Sequence, residues 1–232
     1  MRSPIVFQTL EAELEPTLKY VRGRVLNAGC GSRDITEFLV KHGAGSVEHC
    51  DMKSDIPGAI ISDLAHLPME DDRYDTIICN AVLEHVQFPD KVMQQLRRVM
   101  KPDGHLILCV PFMQPYHPRP DYRRYSREGM VELARIHALD PIEVLPVHST
   151  AQTITWIWWS CLDEKRNRLQ KAILWLPFYL WGRLSQRTDP SLQHQSNSYQ
   201  MVLRKIPSNG NGNGNSSGAS SVPSASARPA GS

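Results

Sequence analysis

Val25-Leu26-Asn27-Ala28-Gly29-Cys30-Gly31-Ser32 is an apolar run that stops on a pair of glycines, and a helical pattern begins within a few residues of its end. A strand that feeds a tight turn and then a helix is the opening unit of an α/β sheet. The glycines suit a backbone that must bend sharply and admit a ligand where a Cβ would collide. An ordinary strand-to-helix turn has the same spelling, so these residues alone leave both readings open. Outward from this stretch, short runs rich in Val, Ile and Leu alternate with longer amphipathic ones from about residue 23 to about residue 147. That alternation is how parallel strands with crossover helices are written. Strands are expected at 24–28, 46–50, 59–62, 74–80, 105–110 and 142–145, and helices at 35–42, 90–100 and 127–137, with Asp90 and Ser126 as N-caps of the last two. Pro102, Asp103 and Gly104 supply a turn between the second helix and the strand after it.

The pattern breaks from Ser149 to about Pro190, and all five tryptophans fall between Trp156 and Trp181. The run from Tyr199 to Arg204 then alternates like a last strand, so the sheet closes after the insertion. Beyond Pro207 the chain is Ser, Gly, Asn, Pro and Ala, too poor in apolar side chains to offset the entropy of ordering. Residues 207–232 are therefore expected to be a disordered tail.

A formal charge of +2, with basic and acidic residues interspersed, does not build a surface that neutralises many phosphates, so nucleic acid is not an expected partner. Five cysteines are an odd number without paired metal-ligand spacing and read as free thiols in a reducing compartment. No metal site is expected from these or from the scattered histidines. The first residues lack the apolar stretch of a signal peptide, which sets the expectation of a cytoplasmic protein.

Asp51 ends the second apolar run roughly 20 residues after the glycines, where nucleoside- and dinucleotide-binding folds place the acid that accepts from ribose hydroxyls. Capping of the following loop is the alternative for this residue. Two further stretches complete the set: Ser62-Asp63-Leu64-Ala65-His66-Leu67-Pro68, and Tyr74-Asp75-Thr76-Ile77-Ile78-Cys79-Asn80-Ala81-Val82-Leu83-Glu84-His85-Val86. In order and spacing these four elements, across about residues 20–147, resemble the class I S-adenosylmethionine-dependent methyltransferases, in particular the methyltransferase type 11 group.

The resemblance implies an α/β, Rossmann-like, mostly parallel sheet with helices on both faces and the tryptophan-rich helical insertion before the last strand. It implies a methyltransferase domain over residues 1–206, with a cofactor half at about 20–110, an acceptor loop at 111–126 and the insertion at about 149–190. The cofactor would be S-adenosylmethionine. Gly29 and Gly31 would shape the loop beneath its methionine and ribose portions, and Asp51 would hold the ribose. Asp63 would accept from the adenine amino group beside the Leu64 backbone, and Asn80 would lie near the methionine end. Asn27 stands where the family usually has an acid, and Arg33 where it commonly has a third glycine. An amide still accepts a hydrogen bond but loses the charge that favours the cofactor's ammonium.

The long stretch from Pro111 to Ser126 leaves the carboxyl end of a strand, where open α/β sheets bind ligands, and should border the methyl acceptor. His117 is the candidate general base by its ordinary pKa, and Asp121 would orient it or replace it. Tyr122, Arg124 and Tyr125 are candidate acceptor contacts, the alternative being that the loop is a structural network. Its Pro-Asp-Tyr-x-Arg-Tyr pattern resembles type 11 members found with glycan-assembly enzymes, which implies O-methylation of a glycan, lipid-linked or other small-molecule acceptor. N- or C-methylation of a small metabolite is the alternative chemistry. A non-catalytic cofactor-binding subunit is the alternative from another class, motivated by Asn27 and Arg33. Neither apolar run of the insertion approaches the ~20 residues that span a bilayer. Aromatics beside Lys and Arg suit contact with the inner face of a membrane through 156–181, a cover over the acceptor, or a homodimer interface.

Overall fold

The computed structural model describes residues 9–116, 120–162, 167–185 and 195–206. The expected tail and the candidate base His117 both lie outside the described residues. Seven strands, β1 (Gly23–Ala28), β2 (Ala44–Asp51), β3 (Ile60–Ile61), β4 (Tyr74–Asn80), β5 (Met100–Pro111), β6 (Leu139–Val147) and β7 (Ser198–Lys205), form one sheet in the order β3-β2-β1-β4-β5-β7-β6. The first five pair in parallel, whereas β7 runs antiparallel to both β5 and β6. Strand order reverses at β1, so the crevice above the carboxyl ends of β1 and β4 is the ligand position of this topology.

Period-two alternation sends neighbouring strand residues to opposite faces. Leu26, Ile77, Leu106 and Met201 pack on one face with Val92, Met93 and Leu96 of α3 (Pro89–Val99) and Met130 and Ala134 of α4 (Arg127–Ile136). Val25, Ile78, Ile107 and Val202 pack on the other with Leu10 and Leu14 of α1 (Leu10–Leu14) and Leu39 of α2 (Thr36–Lys41). Both faces are covered, which is why the central strands read as unbroken apolar runs.

Two local expectations are corrected. Asp90 does not cap α3: Pro89 takes the first helical position, where its missing N–H costs nothing, and Phe88 precedes it without a side-chain cap. Asp90 instead reaches His137 at the end of α4, at 3.0 Å. Pro102 to Gly104 form no free turn either, because β5 already begins at Met100 and its register against β4 slips between Tyr74 and Thr76. Gly104 lies in that irregularity, where a Cβ would stand 2.6 Å from Met100 Cγ. Ser126 does cap α4, accepting from the Gly129 amide at 3.1 Å.

The insertion is a pair of helices, α5 (Thr150–Cys161) and α6 (Arg168–Leu184). Ser149 and Gln152 close a capping box at the start of α5. Pro177 interrupts the backbone ladder of α6, and α5 supplies donors to its carbonyls: the Trp158 indole N–H to Leu174 at 2.9 Å and the Thr155 hydroxyl to Phe178 at 2.7 Å. Trp175 is buried between the helices, edge-on to Trp159 and against Tyr179. Among the described residues no helix is long and apolar enough to cross a membrane.

Candidate cofactor and acceptor site

The glycine turn is fastened to the end of β2. The Gly29 and Cys30 amides donate to the Cys50 carbonyl at 2.7 and 3.3 Å, and the Gly31 amide donates to Asp51 Oδ2 at 2.8 Å. Both glycines have positive φ, +76° and +54°, which most L side chains avoid. Their surroundings differ. A Cβ on Gly29 would stand 2.2 Å from Val82 Cγ2, whereas one on Gly31 would meet nothing within 4 Å. The first glycine is required by packing against Val82, just beyond β4, and the open cradle expected for a ligand lies over the second.

Asp51 fulfils the capping alternative directly, accepting from Lys53 N through Oδ1 at 3.0 Å while Oδ2 holds Gly31. Each oxygen retains a second lone pair, so this does not preclude a ribose contact. Asp63 caps the short 3₁₀ turn Leu64–His66 through the Ala65 amide, at 2.9 Å. Asn27 is buried with its amide 3.2 Å from His49 Nδ1, and His49 Nε2 reaches Thr36 Oγ1 at 2.9 Å. The residue in place of the family's acid is thus tied to a histidine in the sheet. Burial pushes the thiols of Cys30, Cys50, Cys79 and Cys109 up, Cys50 to about 12, and all five cysteines are unpaired in disulfides.

A cavity of about 760 Å³ opens beyond the carboxyl ends of β4 and β5. Ser32 to Ile35 from the loop after β1, Asn80 and Ala81 from the end of β4, and Cys109 to Pro111 from β5 line it. Thr9, Leu10, Glu11 and Glu13 of the N-terminal segment, Gln114, His148, Trp156 of α5, Asn197 and Ser198 complete it. Asn80 Oδ1 is buried and has no hydrogen-bond partner, and Ala81 beside it holds a positive φ of 56°. An orphaned acceptor on this rim and a cradle open over Gly31 fit a ligand that brings hydrogen-bond donors and a bulky ring system.

The described part of the loop has the arrangement of the structural-network alternative. Asp121 is buried and both its oxygens are held by the Arg124 guanidinium, which also donates to the Pro115 carbonyl at 2.9 Å. The pair fastens the loop to itself, and a carboxylate occupied in this way is a poor proton acceptor. Tyr125 is buried with its hydroxyl 3.4 Å from the Leu83 carbonyl, and the Tyr122 amide binds the Glu84 carbonyl at 2.8 Å. None of Asp121, Tyr122, Arg124 and Tyr125 lines the cavity. Glu84 is wholly buried with neither carboxylate oxygen hydrogen-bonded, and its pKa is raised by desolvation against the pull of His85 and Arg124.

Two residues that no motif announced do face the cavity together: Glu13 of α1 and His148 at the junction of β6 and α5, with His148 Nε2 3.0 Å from Glu13 Oε1. Neither has a neighbour in sequence that marks it. Ser149-Thr150-Ala151-Gln152, the capping-box spelling that follows His148, was the only local signal near them.

A family model for a methyltransferase domain matches residues 6–167, which covers the glycine turn, all of the cavity lining but Asn197 and Ser198, and the whole of α5. The chain belongs to this family, and with it to the class I S-adenosylmethionine-dependent methyltransferases. It is 28% identical to a ubiquinone biosynthesis O-methyltransferase of Proteus mirabilis, over 42% of this chain and 52% of that protein. It is 27% identical to a demethylmenaquinone methyltransferase of Streptomyces avermitilis, over 47% and 46% respectively. The chain spans about half the length of these curated relatives. Among solved structures, a SAM-dependent methyltransferase of Archaeoglobus fulgidus superposes with a TM-score of 0.57 at 13% identity, covering 84% of this chain and 93% of that one. A Burkholderia thailandensis 1,6-didemethyltoxoflavin-N1-methyltransferase with bound S-adenosylhomocysteine gives 0.55 at 16%, covering 85% and 80%. These structures share the Rossmann-like fold.

Proposed function

We propose that the protein transfers the methyl group of S-adenosylmethionine to a hydroxyl oxygen of a small-molecule acceptor seated in the cavity beyond β4 and β5. The observation that carries this reading is the cavity itself, which joins the orphaned Asn80 oxygen on the cofactor side to the polar groups of Glu13, Gln114 and His148 under Trp156. Bound S-adenosylmethionine supplies an electrophilic methyl on a sulfonium. Gly29 and Gly31 shape the turn beneath it, Asp51 accepts from the ribose hydroxyls, Asp63 and the Leu64 backbone meet the adenine, and Asn80 meets the methionine end. Asn27 contributes by holding His49 and with it the start of α2. Relatives named for oxygen methylation in ubiquinone biosynthesis favour a hydroxyl over an amine or carbon. The glycan acceptor suggested by the loop pattern has less support, since Asp121 and Arg124 of that pattern bind each other and none of its residues lines the cavity. Calorimetry with S-adenosylmethionine, followed by a search for labelled methyl product among small molecules of the source cell, tests the reading. An N- or C-methylated product would favour the alternative chemistry, and binding without any methylated product the subunit alternative.

A second reading concerns α6. Leu169, Ile173, Leu176, Leu180 and Leu184 recur at helical spacing, 49–87% exposed, with Trp181 beside them. The helix contains no acidic residue and carries Lys171 and Arg183 near its ends. We propose that this face rests on an anionic lipid surface, which suits an apolar acceptor entering beside Trp156. Sedimentation with phosphatidylglycerol vesicles at low salt should carry the protein down, and negative charge placed on this face should release it: Ile173→Glu with Leu180→Glu is the variant to use. Wild type that stays in the supernatant and elutes as a dimer would make the stripe a contact between copies.

A further inference from the structure

Resting on the reading that the chain methylates a hydroxyl, we infer that Glu13 takes the proton of that hydroxyl and that His148 is the positioning residue that holds Glu13 ready. The two side chains come from opposite ends of the fold and meet inside the cavity that Asn80 borders from the cofactor side. Both side chains line the cavity, and at 16% exposure against 6% Glu13 presents more of itself to a ligand than His148 does. His148 also holds a positive φ of 64°, a backbone conformation that a residue with a Cβ keeps only where its surroundings enforce it, and such positions gather at functional sites. Burying a polar pair is costly, and nothing about packing α1 against the sheet requires it, since Leu10 and Leu14 supply that contact.

The other carboxylates that border the cavity serve less well. Asp34 is exposed and accepts from the Thr36 amide at 2.9 Å, with His49 at 3.3 Å. Among the described residues no histidine pairs with Glu11 to orient it, and Asp121 is clamped by Arg124 outside the cavity lining.

The step balances without another reactant. As the acceptor oxygen forms its bond to the methyl carbon, the carbon–sulfur bond breaks and its electron pair stays on sulfur as a neutral thioether. The hydroxyl proton passes to Glu13, which ends as a neutral carboxylic acid. A carboxylate is a weak base, so efficient transfer demands an acidic hydroxyl. The pair therefore selects a phenol or enol over a sugar or other aliphatic alcohol.

The test uses the full chain with catechol and 4-nitrocatechol as acceptors. Glu13→Gln should lower kcat for catechol by about 10²–10⁴-fold, with calorimetric affinity for S-adenosylhomocysteine and Tm unchanged. 4-Nitrocatechol, largely ionised in neutral buffer, should lose far less, because its proton is already gone. His148→Asn keeps a residue at ease with positive φ but too short to reach Glu13, and should reproduce the same selective loss to a smaller degree without raising KM for S-adenosylmethionine. Glu132→Gln, exposed on α4 and outside the cavity lining, should behave as wild type. Equal losses for both acceptors, or an undiminished Glu13→Gln, would overturn the assignment. Wild type that binds S-adenosylhomocysteine but methylates only an amine or thiol on the same ring would sink the hydroxyl reading beneath it.

Discussion

The turn after β1 and the helical pair α5–α6 are held together by opposite means. At the turn, backbone amides bind a carbonyl and a carboxylate at the end of β2, and two residues with positive φ set the path. In the helical pair, indole rings, a proline-interrupted ladder and side-chain donors do the holding, and Leu162 and Trp175 are the buried members of its cluster. The first arrangement sets the path of the turn through main-chain hydrogen bonds and depends on few side chains, chiefly Asp51 and Val82. The second shapes a wall of the cavity through Trp156 and depends on individual side chains, the arrangement expected where acceptors differ between relatives.

Trp175→Ala offers the sharpest separation of the two. Removal of a buried indole that packs on Trp159 and Tyr179 should cost about 3–5 kcal/mol, concentrated in the helical pair, while S-adenosylmethionine binds as before. Hydrogen exchange should show α5 and α6 opening with the sheet still protected. Loss of protection throughout would mean that the pair is part of the central core.

Gly29→Ala attacks the turn from the side of packing. A Cβ 2.2 Å from Val82 at a φ of +76° should destabilise the fold by about 2–4 kcal/mol, visible as a lower urea midpoint before any ligand is added. Gly31→Ala, with open space above it, should leave stability closer to wild type and harm cofactor affinity instead. Similar effects from both would erase the distinction drawn between packing and cradle.

Asp51→Ala should weaken S-adenosylmethionine by roughly tenfold to a hundredfold or more, about 1.5–3 kcal/mol, measured by calorimetry. Part of that loss comes from freeing Gly31. An unchanged dissociation constant would confine Asp51 to its cap.

The smallest effect is expected at Glu84, behind the acceptor loop. Its folded pKa is raised by burial, so its contribution to stability is fully present below the unfolded carboxylate pKa and is lost as pH rises through the folded value. Glu84→Gln should therefore raise Tm at neutral pH and leave it nearly unchanged in acid. A lower Tm at neutral pH would show that the charged carboxylate is paired more strongly than its desolvation costs.

Sequence alone was sufficient for the sheet and for the glycine turn, because both depend on local rules. Period-two alternation separates Leu26 from Val25 onto two faces, and the positive φ at Gly29 and Gly31 is written in the chain as glycine. The class of the protein was legible for the same reason, since its cofactor motifs lie on consecutive strand ends. Local spelling also misled: Asp90 looked like a cap but was displaced by Pro89, and Pro102 to Gly104 looked like a turn but lie within β5.

What tertiary structure alone decided is which side chains share the cavity. Asp121 and Arg124, three apart in a loop, found each other, which occupies the carboxylate expected to orient His117 or replace it. Glu13 and His148 became partners only because α1 docks on the sheet through Leu10 and Leu14 and so brings Glu13 beside the residue that leads into α5. Such a meeting has no spacing to betray it: contact across a fold is set by the docking of whole elements, and a sequence records only the faces that dock.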